Sequence, residues 1–260
     1  MASTKYAYVS IPTFPGPDDT DAENADAVVV MTLDGGVLQW DEGAERLFGY
    51  DGAEAIGHSI FELIVLADQT EGERQLLEET AEEDFSNYEC IYRRKDGSML
   101  YVLSTSKVLS NPETGSKFIV SGKTDVTQFT LDRDMKQVGE KFGGLMESMP
   151  DGVIMTNLTG HIVLANTLAE KLFGYENGEL LGQPVEVLMP ERFRGAHRGQ
   201  RNGYFANPHI RLIGSGIGLY ALRKDGTEFP AEISLSPLQP ENSTVVVSAI
   251  RDISDRKKAE

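Results

Sequence analysis

Short apolar runs broken by turns rich in glycine and aspartate run through this chain. Val28-Val29-Val30-Met31-Thr32-Leu33, then Asp34-Gly35-Gly36, then Val37-Leu38-Gln39-Trp40 predict two strands around a tight turn, since glycine tolerates the positive φ of hairpin turns. Ala44, Leu47 and Phe48 follow at the spacing of one helix face, and polar, helix-compatible residues continue after them. Strands return at Glu89 to Arg93, Met99 to Val108 and Phe118 to Asp125, with turns at Lys95-Asp96-Gly97 and Asn111-Pro112-Glu113. Strand, strand, short helices and three strands predict an α+β fold, a five-stranded antiparallel sheet with its helices on one face.

The same order occurs twice. Ala44-Glu45-Arg46-Leu47-Phe48-Gly49-Tyr50 recurs as Ala169-Glu170-Lys171-Leu172-Phe173-Gly174-Tyr175, and Arg94-Lys95-Asp96-Gly97 as Arg223-Lys224-Asp225-Gly226. Thr124-Asp125-Val126-Thr127 returns as Arg251-Asp252-Ile253-Ser254. Three markers repeating in order predict two diverged copies of one domain. The expected layout is an N-terminal segment at 1–25, read as flexible, a first domain at 26–127 and a helical linker at 128–146. A second domain at 147–254 and the start of a C-terminal helix at 255–260 complete it.

Along the linker, Leu131, Met135, Val138, Phe142, Leu145 and Met149 alternate steps of four and three, the seam of a coiled coil. The stripe serves equally to pair two chains into a homodimer through the linker helix or to pack the helix on its own domain. Gly139, Gly143 and Gly144 interrupt it, each costing about 1 kcal/mol against alanine in a helix interior.

Composition narrows the function. The 260 residues carry a formal charge of −17, from 24 lysines and arginines against 41 aspartates and glutamates. Such a surface repels phosphate backbones and anionic lipid, so neither direct nucleic-acid binding nor membrane binding is expected. The one cysteine, Cys90, cannot form an intramolecular disulfide or build a cysteine zinc site by itself. No basic start with an apolar run opens the chain and no stretch reaches about 18 unbroken apolar residues, so a cytoplasmic location is expected. No activated nucleophile beside a base, phospho-acceptor box or ATP-site motif is present, so the chain is not expected to be an enzyme.

The markers "AERLFGY", "RRKDGS" and "KTDVTQ", with their second copies "AEKLFGY", "LRKDGTEFP" and "IRDISDRK", resemble those of PAS domains, sensory modules of bacterial signalling proteins. The resemblance covers nearly all of the chain beyond its first two dozen residues. It implies a tandem-PAS sensor in signal transduction, whose output partner would be a histidine kinase or another output domain. The fold hosts many ligands, so the pocket must identify the one used.

In the second copy, Leu188-Met189-Pro190-Glu191-Arg192-Phe193-Arg194-Gly195-Ala196-His197 resembles the heme-binding PAS domain of the FixL oxygen-sensor family. That resemblance places His197 at the axial ligand of heme b and Tyr204 among the pocket residues. It also sets Asn207-Pro208-His209-Ile210 against the heme edge, His209 near a propionate. One imidazole ligand leaves the opposite position open to a diatomic gas. Two departures stand out: the span from His197 to His209 is shorter than in that family, and Leu219 follows Gly216-Ile217-Gly218 where the family has an arginine. The alternative is that His197 caps or packs a helix.

Trp40 lies where flavin-binding PAS domains place an aromatic against the cofactor, which would give the first domain a flavin; the other reading is core packing. Cys90 lacks the Asn-Cys-Arg-Phe motif of photoactive relatives and reads as a buried inert thiol. His58 and His161 have no second ligand at metal spacing and read as surface residues. Gly216-Ile217-Gly218 leads into a strand rather than a helix, which removes a dinucleotide reading. The function expected is a sensor of oxygen, gas or redox state. A ligand-free interaction module and the input part of a sensor histidine kinase are the alternatives.

Overall fold

A computed structural model describes residues 25–110, 115–206, 209, 211–213, 219–238 and 244–259. The chain divides after Gln128 into two compact units. In the first, β1 (Ala27–Met31) and β2 (Val37–Trp40) form the expected hairpin, and α1 (Glu42–Phe48), α2 (Gly52–Ala55), α3 (Ile60–Leu63) and α4 (Thr70–Glu83) follow. Then come β3 (Phe85–Arg93), β4 (Met99–Ser110) and β5 (Lys117–Asp125) in one antiparallel sheet of order β2-β1-β5-β4-β3. The last strand thus lies beside the first, so the end of the domain is built into the middle of its sheet.

The second unit begins with α5 (Thr127–Glu147), which straddles the division, and repeats the order. It runs β6 (Gly152–Thr156), β7 (Ile162–Ala165), α6 (Thr167–Phe173), a 3-10 helix (Val185–Leu188) and α7 (Glu191–Ala206). The strands β8 (Arg211–Ile213), β9 (Tyr220–Leu222), β10 (Glu228–Leu238) and β11 (Val245–Asp252) and the helix α8 (Ser254–Ala259) close it. The sheet order β7-β6-β11-β10-β8 matches the first, but β10 pairs with β9 at Glu228, Phe229 and Pro230 and with β8 at Ile233, Ser234 and Leu235. Among the described residues that edge is made of β8 and β9.

The repeated AE-LFGY motif has a mechanical basis. Asp41 and Asn166 cap α1 and α6, accepting from the amides of Ala44 at 2.7 Å and Ala169 at 2.9 Å, as short polar side chains do at helix N-termini. Gly49 (φ 79°) and Gly174 (φ 76°) end the same helices in the left-handed conformation that glycine adopts without penalty. Between cap and glycine, Ala44, Leu47 and Phe48, like Ala169 and Phe173, face the core.

The linker stripe settles on its own domain. Leu131, Val138 and Met146 are buried with Val153, Met155, Val163 and Val245, and Met135, Phe142 and Met149 pack against the same cluster. These partners are the outer face of the second sheet. These positions take the reading in which the helix packs on its own domain, while Leu145 of the same repeat stays exposed. The steps of four and three suit a flat sheet as well as a partner helix. Among the described residues no helix is long and apolar enough to cross a membrane.

Candidate functional site

On α7, His197, Arg201 and Tyr204 sit four and then three residues apart and share one helix face. His197 is half-buried, and its Nδ1 lies 3.0 Å from Oε1 of Glu186 on the 3-10 helix. Burial alone would push the Glu186 carboxyl up. The hydrogen bond from His197 and the positive charge of Arg201 outweigh it and hold the carboxyl below its usual range. Glu186 is thus an anion fixed within reach of the ring, placed to accept from Nδ1 in the tautomer that leaves Nε2 as the ring's other nitrogen. Among the described residues Nε2 has no hydrogen-bond partner.

Arg201 is buried, with its Nη1 donating to the carbonyl of Thr159 and its Nε 3.5 Å from Glu186. The second contact is an ion pair without hydrogen-bond geometry, so Nε is the one buried side-chain atom left without a hydrogen bond among the described residues. Room for the guanidinium comes from Gly160 (φ 85°), where a Cβ would overlap it. The turn between β6 and β7 is therefore shaped to receive an arginine from α7.

Tyr204 packs with Val246, Leu158 and Leu235, and its hydroxyl donates to the His209 carbonyl at 2.6 Å. The two rings are 5.6 Å apart, and His209 is exposed. The structure thus brings Tyr204 and His209 together and ties His197 to Glu186. Ile210 and Gly216-Ile217-Gly218 lie outside the described residues, while Leu219 is half-buried. His58 is exposed beside Glu62, whereas His161 is half-buried with Nδ1 2.8 Å from the Thr159 hydroxyl, deeper than the sequence implied. Among the described residues no group of three or more metal-binding side chains assembles.

In the first domain Trp40 takes the core-packing reading that stood beside the flavin one. The Trp40 indole is buried, donates its N–H to the Tyr50 carbonyl at 3.0 Å and packs on Phe48 at 5.4 Å between centroids. It belongs to the apolar core cluster of the first domain. Cys90 is buried, with burial pushing its thiol far above the ordinary value and the Glu73 charge adding to the effect. Sequence reasoning missed Glu186, and it missed a buried polar set in the first domain: Glu73, Tyr88, Tyr92, Ser104, Ser121 and Lys123. Glu186 precedes His197 by eleven positions across a change of helix, outside any single-helix spacing.

Comparison with known proteins comes to the same architecture. The PAS domain family model matches residues 25–128 and 150–255. Over 116 residues the chain is 31% identical to the sensor protein FixL of Bradyrhizobium diazoefficiens, covering 45% of this chain and 23% of that one. Over 127 residues it is 30% identical to the oxygen sensor protein DosP of Escherichia coli, covering 47% of this chain and 15% of that one. The chain thus spans under a quarter of these relatives' length. Among solved structures, the PAS domain of an HTR-like protein from Haloarcula marismortui is 19% identical. It covers 48% of this chain and 99% of that one, with a TM-score of 0.38.

Proposed function

The chain belongs to the PAS domain family, and on that premise we propose that it is a signalling sensor whose second domain holds heme b on His197 and reports a diatomic gas or redox change to an output partner. The observation that carries this reading is the contact of 3.0 Å between His197 Nδ1 and Glu186. A histidine that ligates a metal through one nitrogen characteristically donates the other to a carboxylate, which fixes the tautomer and raises the basicity of the ligating atom. The similarity to FixL and DosP, both named as sensors and one as an oxygen sensor, supports the same reading.

Held on His197, heme would supply the iron that responds to a gas or to a redox change. The chain's own residues do the rest. Glu186 orients the imidazole, and Arg201 holds Glu186 as an anion. Tyr204 positions the segment that carries His209 through its hydrogen bond to that backbone. The apolar inner surface, built from Ile154, Ile162, Leu188, Phe229 and Ile250, would exclude water from the ring. Leu219 adds no hydrogen-bond donor, so selection among gases would rest on shape and polarity rather than on an arginine. The output partner, a histidine kinase or another effector, would read the end of β11 and the helix α8 that follows it.

The test is the visible spectrum of the purified protein, as isolated and with added hemin, for wild type, His197→Ala and Glu186→Gln. A sharp Soret band lost in His197→Ala and shifted in Glu186→Gln is expected. A band unchanged in His197→Ala, or none in wild type, overturns the heme reading and leaves a sensor of colourless ligands or an interaction module.

A further inference from the structure

The helix-covered face of the first sheet carries a charge whose counter-ion is missing from its immediate contacts. Lys123 on β5 is 1% exposed, and its ammonium donates to the Ser104 hydroxyl at 2.7 Å and to the Tyr92 hydroxyl at 3.1 Å. No carboxylate lies within ion-pair distance of it among the described residues. Glu73 on α4, 3% exposed, comes nearest in the network, but only through a phenol: its Oε1 accepts from Tyr92 at 2.6 Å and from Tyr88 at 2.9 Å. Ser121 lies 3.3 Å from Ser104 and 2.7 Å from Ser106, both buried.

The register explains the gathering. Tyr88, Cys90 and Tyr92 alternate along β3 on the face that α4 covers, and Ser104, Ser106, Ser121 and Lys123 take the same face of β4 and β5. One ammonium, two phenols and three hydroxyls share a single carboxylate there, and each hydroxyl both donates and accepts. An ammonium buried without an ion pair costs several kcal/mol, and a carboxylate beside it recovers part of that cost. Burial also pushes the Lys123 ammonium down, with the nearby Cys90 and Glu73 opposing. The small serines face the ammonium where an apolar core would place branched side chains.

We propose that this face binds a small carboxylate, which pairs with Lys123 and takes hydrogen bonds from Tyr92 and Ser104, while Glu73 competes for the phenols as an internal anion. The first domain then senses an organic acid, a signal separate from anything bound at His197. Glu73 lies in the first turn of α4, so its release would free the helix end that crosses the site.

Acetate is the probe, titrated into the whole protein at constant ionic strength with chloride as the balancing anion, and followed by thermal unfolding and by amide chemical shifts. A saturable acetate effect in wild type is expected, tightened at least tenfold in Glu73→Gln and abolished in Lys123→Met and Ser104→Ala. The His197→Ala protein should respond as wild type. No saturable effect in folded wild type and folded Glu73→Gln, or an equal effect in folded Ser104→Ala, overturns the proposal. An identical response to chloride reduces it to a general salt effect and overturns it too.

Discussion

Arg223 and Asp252 meet at 2.7 Å across the second sheet, and the same arginine also donates to the Leu172 carbonyl at the end of α6. Arg94 does the same in the first domain, bonding Asp125 at 3.1 Å and the Leu47 carbonyl at 2.8 Å. Each aspartate spends its other oxygen on the next helix, Asp252 accepting from the Ser254 amide at 2.8 Å and Asp125 from the Thr127 amide at 2.9 Å. One guanidinium thus joins the helix-covered side of each domain to the carboxylate that starts the outgoing helix. The repeated Arg-Lys-Asp-Gly and Asp-x-Thr/Ser markers are the two ends of that link.

Breaking the link should loosen the exit without destroying the pocket. Arg223→Ala is expected to cost about 1–2 kcal/mol, since a hydrogen bond to a charged group contributes on that scale. Amide exchange should rise most in α8 and the end of β11. Urea unfolding followed by circular dichroism, with hydrogen exchange read by mass spectrometry, checks both. Uniform exchange throughout the second domain would contradict a local role.

Gly160→Ala should be among the costlier single-methyl changes in the second domain. It forces alanine to φ 85° and drives the Arg201 guanidinium from its seat. About 2–4 kcal/mol of lost stability is expected from backbone strain and a disturbed buried ion pair. Adding Arg201→Met should recover the steric part, so the double variant should lose less than the two singles together. Equilibrium unfolding of the three variants measures it.

Acid should weaken the second domain through Glu186 and Asp252. Burial pushes the Asp252 carboxyl up, but the hydrogen bonds from Ser254 and Arg223 outweigh it and hold the carboxyl below its ordinary value, as happens for Glu186. A carboxyl lowered in the folded state contributes stability that is fully present above its unfolded value of about 4, and that is lost as pH falls through the folded one. Stability should therefore be level near neutrality and fall below about pH 4, and Asp252→Asn should fall less steeply. A steeper acid loss in Asp252→Asn would show the sign to be wrong. Urea midpoints at several pH values between neutrality and strong acid supply the comparison.

The α5 stripe separates by position. Leu131→Ala should destabilise the second domain by about 2–5 kcal/mol, as buried leucine truncations do. Leu145→Ala, at an exposed residue of the same repeat, should change stability by less than about 0.5 kcal/mol. Equal losses in chemical unfolding would mean that the whole stripe is covered.

The hairpins, the helix carrying Ala44 and Phe48, and the later strands were legible because each rests on local periodicity and turn chemistry, and the repeat supplied an independent second reading. One extent moved furthest: β3 starts at Phe85, ahead of Glu89, because pairing with β4 continues through polar Ser86 and Asn87.

Contacts between elements around the candidate site left no mark in the sequence. His197 and Tyr204 came from the family resemblance, and the structure places both on α7. Glu186 reaches His197 only because the 3-10 helix folds back on α7, and Glu73 reaches Tyr92 only through the docking of α4 on β3. Lys123 looks like any strand lysine until the register of β4 and β5 places it inward. The direction of the α5 stripe could not be read either, since an apolar stripe states that it must be covered and not by what.

The placement of α5 has a consequence for how such domains are inherited. The second stretch recognisable by kinship begins at residue 150, yet the outer wall of that domain is supplied by Leu131, Val138 and Met146 upstream of it. Kinship and folding therefore draw the border in different places. A second domain transplanted from its recognisable start would arrive with Val153, Met155, Val163 and Val245 bared to water, and would have to recruit a foreign helix to cover them.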